Sequence, residues 1–286
     1  MVVVDHQGSV PGKTGAMGVV SPLGLKGTIG GGLVEKQFAE RALSFDGPPE
    51  VVRFDLTSPE IDSICLGIQD IAMLRLSGDD VQTIEDIVRT LEADGQGILQ
   101  MSHTGISFQA NTSAPRTFEN DGHSWFFRST LGRLDTLYQI GGGHVALALS
   151  RIMANLGFRI IVMDDRENLA TLNANSWATE TKRVDYADIV QHVVEGPHSW
   201  VTIMTQGHRM DAEVLAQLYD KDLRYLGMMG SANKVKEVFA RLEGQGIQRS
   251  KLEHTYSPIG LQIRSHTPEE IAISVAAEMI SVRNRI

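Results

Sequence analysis

Cys65 is the only cysteine in the 286 residues, so no intrachain disulfide can form. A lone thiol suits a reducing compartment. Basic charge is also scarce: 26 Lys and Arg stand against 35 Asp and Glu, a formal net charge of −9. A duplex-binding surface needs clustered cations to displace counterions, and an anionic membrane attracts the same kind of cluster. No basic run occurs, so neither nucleic acid nor a membrane surface is an expected partner. Long apolar runs are missing too; no window approaches the roughly eighteen apolar residues of a bilayer-spanning helix. Met1-Val2-Val3-Val4-Asp5-His6 shows no basic stretch ahead of its apolar residues, so no secretory leader is read there. Together these absences predict a cytoplasmic protein.

What is present is ordinary for a protein with a buried core, 42% hydrophobic and 21% charged residues. The length suits two modest domains. A first block is Gly-rich, with strand-like runs at 2–4, 16–20, 51–54 and 71–76. After Gly30-Gly31-Gly32 the spacing of Leu33, Phe38 and Leu43 turns helical, and Pro48-Pro49 breaks it. In a second block, 79–133, Asp80 is placed to cap a helix carrying Val81, Ile84, Val88 and Leu91. Strand-like runs follow at 98–101, 105–110 and 125–128, and the block is read as scaffold or subunit contact.

The third block alternates strands (137–140, 158–163, 200–204, 225–228) with helices (145–156, 212–219, 232–242). Such alternation implies a parallel sheet covered by helices. A last helix is announced by Thr267 as N-cap, Pro268 at its first position and Glu270 closing a capping box. The expected class is α/β: a Rossmann-like parallel sheet with helices on both faces over 134–286, preceded by an α+β domain over 1–133.

Candidate chemistry concentrates at glycines that precede helices. Gly141, Gly143 and Ala146 follow a strand, open a helix and lie about twenty residues before Asp164, the dinucleotide-binding pattern. Gly141 permits a tight turn, Gly143 close approach of a phosphate, and Ala146 close helix–strand packing. The free N–H groups of the helix start attract an anion. Asp164 is a candidate for a ribose hydroxyl and Arg166 for a phosphate; the alternative is a strand end that caps its own turn. Gly30-Gly31-Gly32 and Gly230-Ser231, the latter with Lys234 one turn on, repeat the arrangement. The three junctions point to one phosphorylated ligand only if they converge.

Cys65 is either a cofactor-facing thiol or a core cysteine. His144, on the loop, either contacts ligand or packs against it. His208 and Asp211 form either a proton-handling polar pair or, for Asp211, a helix cap. No paired-histidine helix spacing and no Gly-x-Ser-x-Gly elbow occur, which argues against a zinc site and a serine hydrolase. NAD(P) binding by an oxidoreductase is the second reading of the loop, without a Tyr-x-x-x-Lys set to support it.

Four ordered segments carry a family resemblance: Gly27-Thr28-Ile29-Gly30-Gly31-Gly32 with Glu35; Gly141-Gly142-Gly143-His144-Val145 leading to Asp164-Asp165-Arg166; Gly227-Met228-Met229-Gly230-Ser231 with Lys234; and Pro258-Ile259-Gly260-Leu261 followed by Thr267-Pro268-Glu269-Glu270-Ile271-Ala272. The chain resembles the XdhC/CoxI family, accessory proteins of xanthine dehydrogenase and related molybdenum hydroxylases. The resemblance implies binding of molybdenum cofactor (molybdopterin), holding it while a terminal sulfur is installed, and delivery to the apo-hydroxylase, with a cysteine desulfurase as a candidate further partner. It also assigns Glu35 and the glycines to cofactor binding, with Cys65 toward the metal. A homodimer is expected, with the middle block as its contact. The sequence departs from the pattern at Gly12 for arginine, at Leu66 for the glycine after Cys65, and at Gln206 for histidine. A leading helix is also missing, since Val2 opens the first strand.

Overall fold

The computed structural model describes residues 1–58, 66–93, 95–132 and 135–284. Two compact units divide the chain, Met1–Gly132 and Arg133–Ile286.

The first unit runs β1 (Val2–Gly8), β2 (Gly18–Ser21), β3 (Gly24–Gly27), α1 (Gly32–Leu43), β4 (Glu50–Asp55), β5 (Gly67–Met73), α2 (Val81–Glu92), β6 (Gln96–Ser102), β7 (Gly105–Ala110), β8 (Thr117–Asn120) and β9 (Trp125–Gly132). β1, β5 and β4 form one antiparallel sheet, β2 and β3 a hairpin, and β7-β6-β9-β8 a second antiparallel sheet. Strand side chains alternate between faces. Val3, Ile71 and Met73 therefore meet Val34 and Phe38 of α1, while Val2, Val4 and Ala72 meet Leu99, Met101 and Phe127 of the second sheet. Both faces of the first sheet are covered, which explains the unbroken apolar run Val2-Val3-Val4. The middle block thus supplies half of a core. β8 escapes a periodicity reading because it is four residues long and only Phe118 in it is apolar.

One expectation at α2 is corrected. Asp80 makes no side-chain cap for that helix. Its carboxylate instead accepts the Ser77 N–H at 2.8 Å, closing a capping box on the short 3-10 turn Gly78–Asp80. The coil tightens one turn earlier than the apolar spacing suggests, so Ser77 takes the cap.

The second unit runs β10 (Thr136–Ile140), α3 (His144–Asn155), β11 (Arg159–Asp164), α4 (Ala170–Asn173), β12 (Glu180–Arg183), β13 (Gly196–Ile203), α5 (His208–Leu218), β14 (Leu223–Met228), α6 (Ala232–Gly244), α7 (Arg249–Leu252) and α8 (Pro268–Arg283). All five strands are parallel, in the order β12-β11-β10-β13-β14. α5 and α6 cover the face bearing Tyr138, Ile140, Val201 and Ile203. α3 and α8 cover the face bearing Leu137, Trp200 and Tyr225. There Trp200 meets Phe158 edge-on at 5.5 Å and stacks on Tyr225 at 5.8 Å. Each such pair adds about 0.5–1.5 kcal/mol beyond its buried area. α8 begins as its sequence indicates, with Thr267 accepting the Glu270 N–H and Glu270 accepting the Thr267 N–H. β12 has no counterpart in the periodicity: it is a short edge strand, Glu-Thr-Lys-Arg, with no apolar alternation to read. Charged side chains on such an edge discourage pairing with another chain.

Candidate functional site

The strand order places β10 beside β13, the point where the winding of the sheet reverses. In open parallel sheets, ligands bind in the crevice outside the strand carboxyl ends at this reversal. The helices leaving these two strands, α3 and α5, each start on a glycine, Gly143 and Gly207, with no side-chain cap. Among the described residues, their first-turn N–H groups therefore have no intrahelical or side-chain acceptor. A Cβ added to Gly143 or Gly207 would meet nothing within 4 Å, so both starts face open space. His144 and His208, the first helical residues, are exposed.

Gly141 is held by the opposite condition. Its φ is +107°, and a Cβ would lie 2.2 Å from the Met204 carbonyl oxygen at the end of β13. Only glycine lets the two loops touch. Ala146, as expected, is buried against the sheet.

Asp164 ends β11, fully buried, and its carboxylate is committed to the chain itself. One oxygen accepts the Gly142 N–H at 2.7 Å and an Arg166 guanidinium N–H at 2.7 Å. The other accepts the Arg166 backbone N–H at 3.0 Å and its Nε–H at 2.8 Å. Burial pushes this carboxyl up, but the Arg166 side chain and the Gly142 and Arg166 N–H groups outweigh it, holding it below the ordinary aspartate value. The same hydrogen bond, opposed by burial, raises Arg166. A role for Asp164 as acceptor for a ribose hydroxyl is thus corrected: its lone pairs already clamp the glycine loop and the arginine. The dinucleotide reading loses its acid.

The pairing of His208 with Asp211 is corrected as well. Asp211 is fully buried and accepts the Thr205 N–H at 3.1 Å and its hydroxyl at 2.6 Å. Its other oxygen pairs with Nζ of Lys234, which also donates to the Met229 carbonyl at 3.1 Å. This buried pair ties the starts of α5 and α6 together. Ser231 caps α6 by accepting the Lys234 N–H at 3.3 Å, and Gly230 lies against the Lys234 stem. A lysine in a helix's first turn opposes the dipole; that was the one sequence sign that Lys234 needed an acid nearby. Thr205, buried between them, carried no sign of its own.

Gly30-Gly31-Gly32 lies in the first unit. Its amides are already supplied with an anion: Glu35 accepts the Ile29 N–H at 3.1 Å, the Gly31 N–H at 2.9 Å and the Thr28 hydroxyl. The Thr28 bond, then these N–H groups against burial, hold Glu35 below its usual range. The expected phosphate cradle is therefore filled by the helix's own first-turn acid. Cys65 lies outside the described residues. Leu66 is largely exposed, whereas a Cβ on Gly12 would lie 2.0 Å from the Ile29 carbonyl oxygen. Where the resemblance expects arginine, this backbone admits no side chain. Gln206, at the altered histidine position, is exposed. Among the described residues, no group of three or more His, Cys, Asp or Glu is placed to hold a metal ion, and no helix is long and apolar enough to cross a membrane.

A doubly wound half-sheet with uncapped glycine starts at its reversal is a Rossmann-type binding unit. Residues 137–279 match the family described as the XdhC Rossmann domain, and residues 1–55 match the XdhC and CoxI family. The chain belongs to the XdhC/CoxI family. It is 26% identical over 292 residues to uncharacterized protein YqeB of Escherichia coli K12, spanning 99% of this chain and 43% of that protein. It is 31% identical over 150 residues to a probable xanthine dehydrogenase subunit of Bacillus subtilis 168, spanning 52% of this chain and 43% of that one. The chain thus spans less than half the length of the curated relatives it matches. A crystal structure described as a xanthine dehydrogenase from Bacillus halodurans superposes with a TM-score of 0.79 at 25% identity, covering 100% of this chain and 91% of that one.

Proposed function

We propose that the chain is an accessory protein of a xanthine dehydrogenase-type molybdenum hydroxylase, and that its second unit holds molybdenum cofactor by the phosphate before delivery to the apo-enzyme. The observation that carries this reading is the pair of uncapped glycine starts, α3 and α5, on the adjacent central strands. A phosphate monoester fits that donor set: it accepts from the first-turn N–H groups and is favoured by both helix dipoles, about 0.3–2 kcal/mol each. The nearest acids do not oppose it, because Asp164 is neutralised by Arg166 and Asp211 by Lys234. When bound, the cofactor supplies a molybdenum held by the pterin's dithiolene sulfurs. The residues here bind and orient its phosphate end; Gly141 and the Asp164 clamp fix the loop that does so. Cys65 belongs to the metal end in this reading, with a cysteine desulfurase as sulfur source and a homodimer as the working form.

The test is cofactor extraction. Protein purified from cells that make molybdopterin should yield a fluorescent pterin after oxidation. Gly143→Val puts a side chain into open space at a backbone geometry any residue adopts, φ −72° and ψ −170°. It should fold normally yet lose pterin at least about tenfold. Absence of pterin from the parent protein, or equal pterin in Gly143→Val, rejects the site. Cys65→Ser should retain pterin and lower its sulfur loading; unchanged loading removes that thiol from the proposal.

A further inference from the structure

The glycine loop ahead of α3 is closed in on one side by α4. Gly142 is buried, and its N–H donates to Asp164. A Cβ added to it would lie 3.0 Å from Leu172 and 3.2 Å from Leu169. From the second residue of α4, the Thr171 hydroxyl donates to the Gly142 carbonyl oxygen at 2.5 Å. The peptide joining Gly142 to Gly143 is trans, and in a planar trans peptide the C=O and the following N–H point opposite ways. Drawing the carbonyl toward α4 therefore turns the Gly143 N–H away from α4. Gly143 faces open space, and its N–H has no acceptor among the described residues.

The loop's own residues do not enforce that orientation. A flip of this peptide rotates ψ of residue 142 and φ of residue 143; both are glycine, so no side chain blocks it. The flip would carry φ of Gly143 from −72° into the positive region and turn a carbonyl oxygen to the open side. We infer that Thr171 is a positioning residue of the phosphate site: its hydroxyl locks this peptide with the N–H, not the carbonyl oxygen, toward the ligand. The inference rests on the reading of the α3 and α5 starts as a phosphate site. Without the hydroxyl, the buried carbonyl loses its donor, and a flip toward water relieves that cost. The flipped loop presents an acceptor to an anion and repels it.

The probe is inorganic phosphate, titrated into the full chain carrying isotopically labelled glycine, with affinity read by NMR from the Gly207 amide at the start of α5. Affinity falls with the share of molecules still presenting the N–H. Thr171→Val, and Thr171→Ala as a second removal of the hydroxyl, should therefore weaken phosphate about three- to tenfold, the worth of one hydrogen bond. Thr171→Ser keeps the hydroxyl and should bind like the parent. The decisive background is Gly143→Ala. Alanine accepts a φ of −72° but not the positive φ of the flipped peptide, so there Thr171→Val should weaken binding no further. A loss of the same factor in both backgrounds would mean that the threonine only packs α4, and would overturn the inference. Equal binding by Thr171→Val and the parent would overturn it too, as would weak binding by Thr171→Ser. A parent whose Gly207 signal ignores phosphate would instead reject the phosphate site itself, and the inference with it.

Discussion

If Asp164 is a clamp rather than a ligand contact, removing it should unfold the second unit more readily instead of merely weakening binding. Asp164→Ala strips four donors of their acceptor at once. Breaking a buried ion pair by deleting one partner costs about 3–5 kcal/mol. The Arg166 side chain is 28% exposed and recovers some hydration, which favours the low end, about 3 kcal/mol. The buried Gly142 N–H adds about 1 kcal/mol for its lost acceptor. The expected loss is therefore about 4 kcal/mol near neutral pH, a large part of the roughly 5–15 kcal/mol of a typical domain. Urea unfolding followed by tryptophan fluorescence reads this, in a Trp125→Phe background that silences the first unit. Asp164→Asn should cost less, since an amide oxygen can still accept from Gly142. The pH dependence has a definite sign. The folded carboxyl titrates below the ordinary aspartate value of 3.8. Its stabilisation is therefore complete above that value and disappears as pH falls through the lower, folded one. The gap between parent and Asp164→Asn should be flat from neutral to mildly acid pH and close below about 3.8. A loss under about 1 kcal/mol for Asp164→Ala, or a gap that persists in strong acid, would refute the clamp.

Two further outcomes test the same edge of the sheet. Gly141→Ala forces a side chain into positive φ and onto the Met204 carbonyl, combining about 1–3 kcal/mol of strain with about 1–3 of overpacking; calorimetry should show the second unit melting about 5–20 °C lower, while Gly143→Ala stays near the parent. Asp211→Asn and Lys234→Met should each cost about 3–5 kcal/mol by leaving a buried charge unpaired, and their double variant should lose at least about 2 kcal/mol less than the sum. Additive losses in that cycle would show the two side chains are not coupled.

Periodicity and capping are written within a dozen residues, and there the sequence was sufficient for the long elements, though not for the short strands β8 and β12 or the cap of α2. The alternation of apolar runs specified a parallel sheet with helices, Thr267-Pro268-Glu269-Glu270 specified the start of α8, and Gly141-Gly142-Gly143 specified a strand–loop–helix junction. These follow from local backbone preference and the 2.0 and 3.6 repeats of strand and helix. What each charged group does was decided only when distant segments met. Asp164 accepts from Arg166 two residues along its own chain, but from Gly142 only because the end of β11 lies beside the loop after β10. Asp211 might have paired with His208; it pairs with Lys234 because the starts of α5 and α6 share the carboxyl edge of the sheet. The partners of Glu35 were near in sequence, yet whether its amides were free for phosphate depended on the fold of a short glycine-rich loop. A buried carboxylate takes whichever donors the chain brings within hydrogen-bond reach, and a sequence fixes that choice only through the crossings of its tertiary structure.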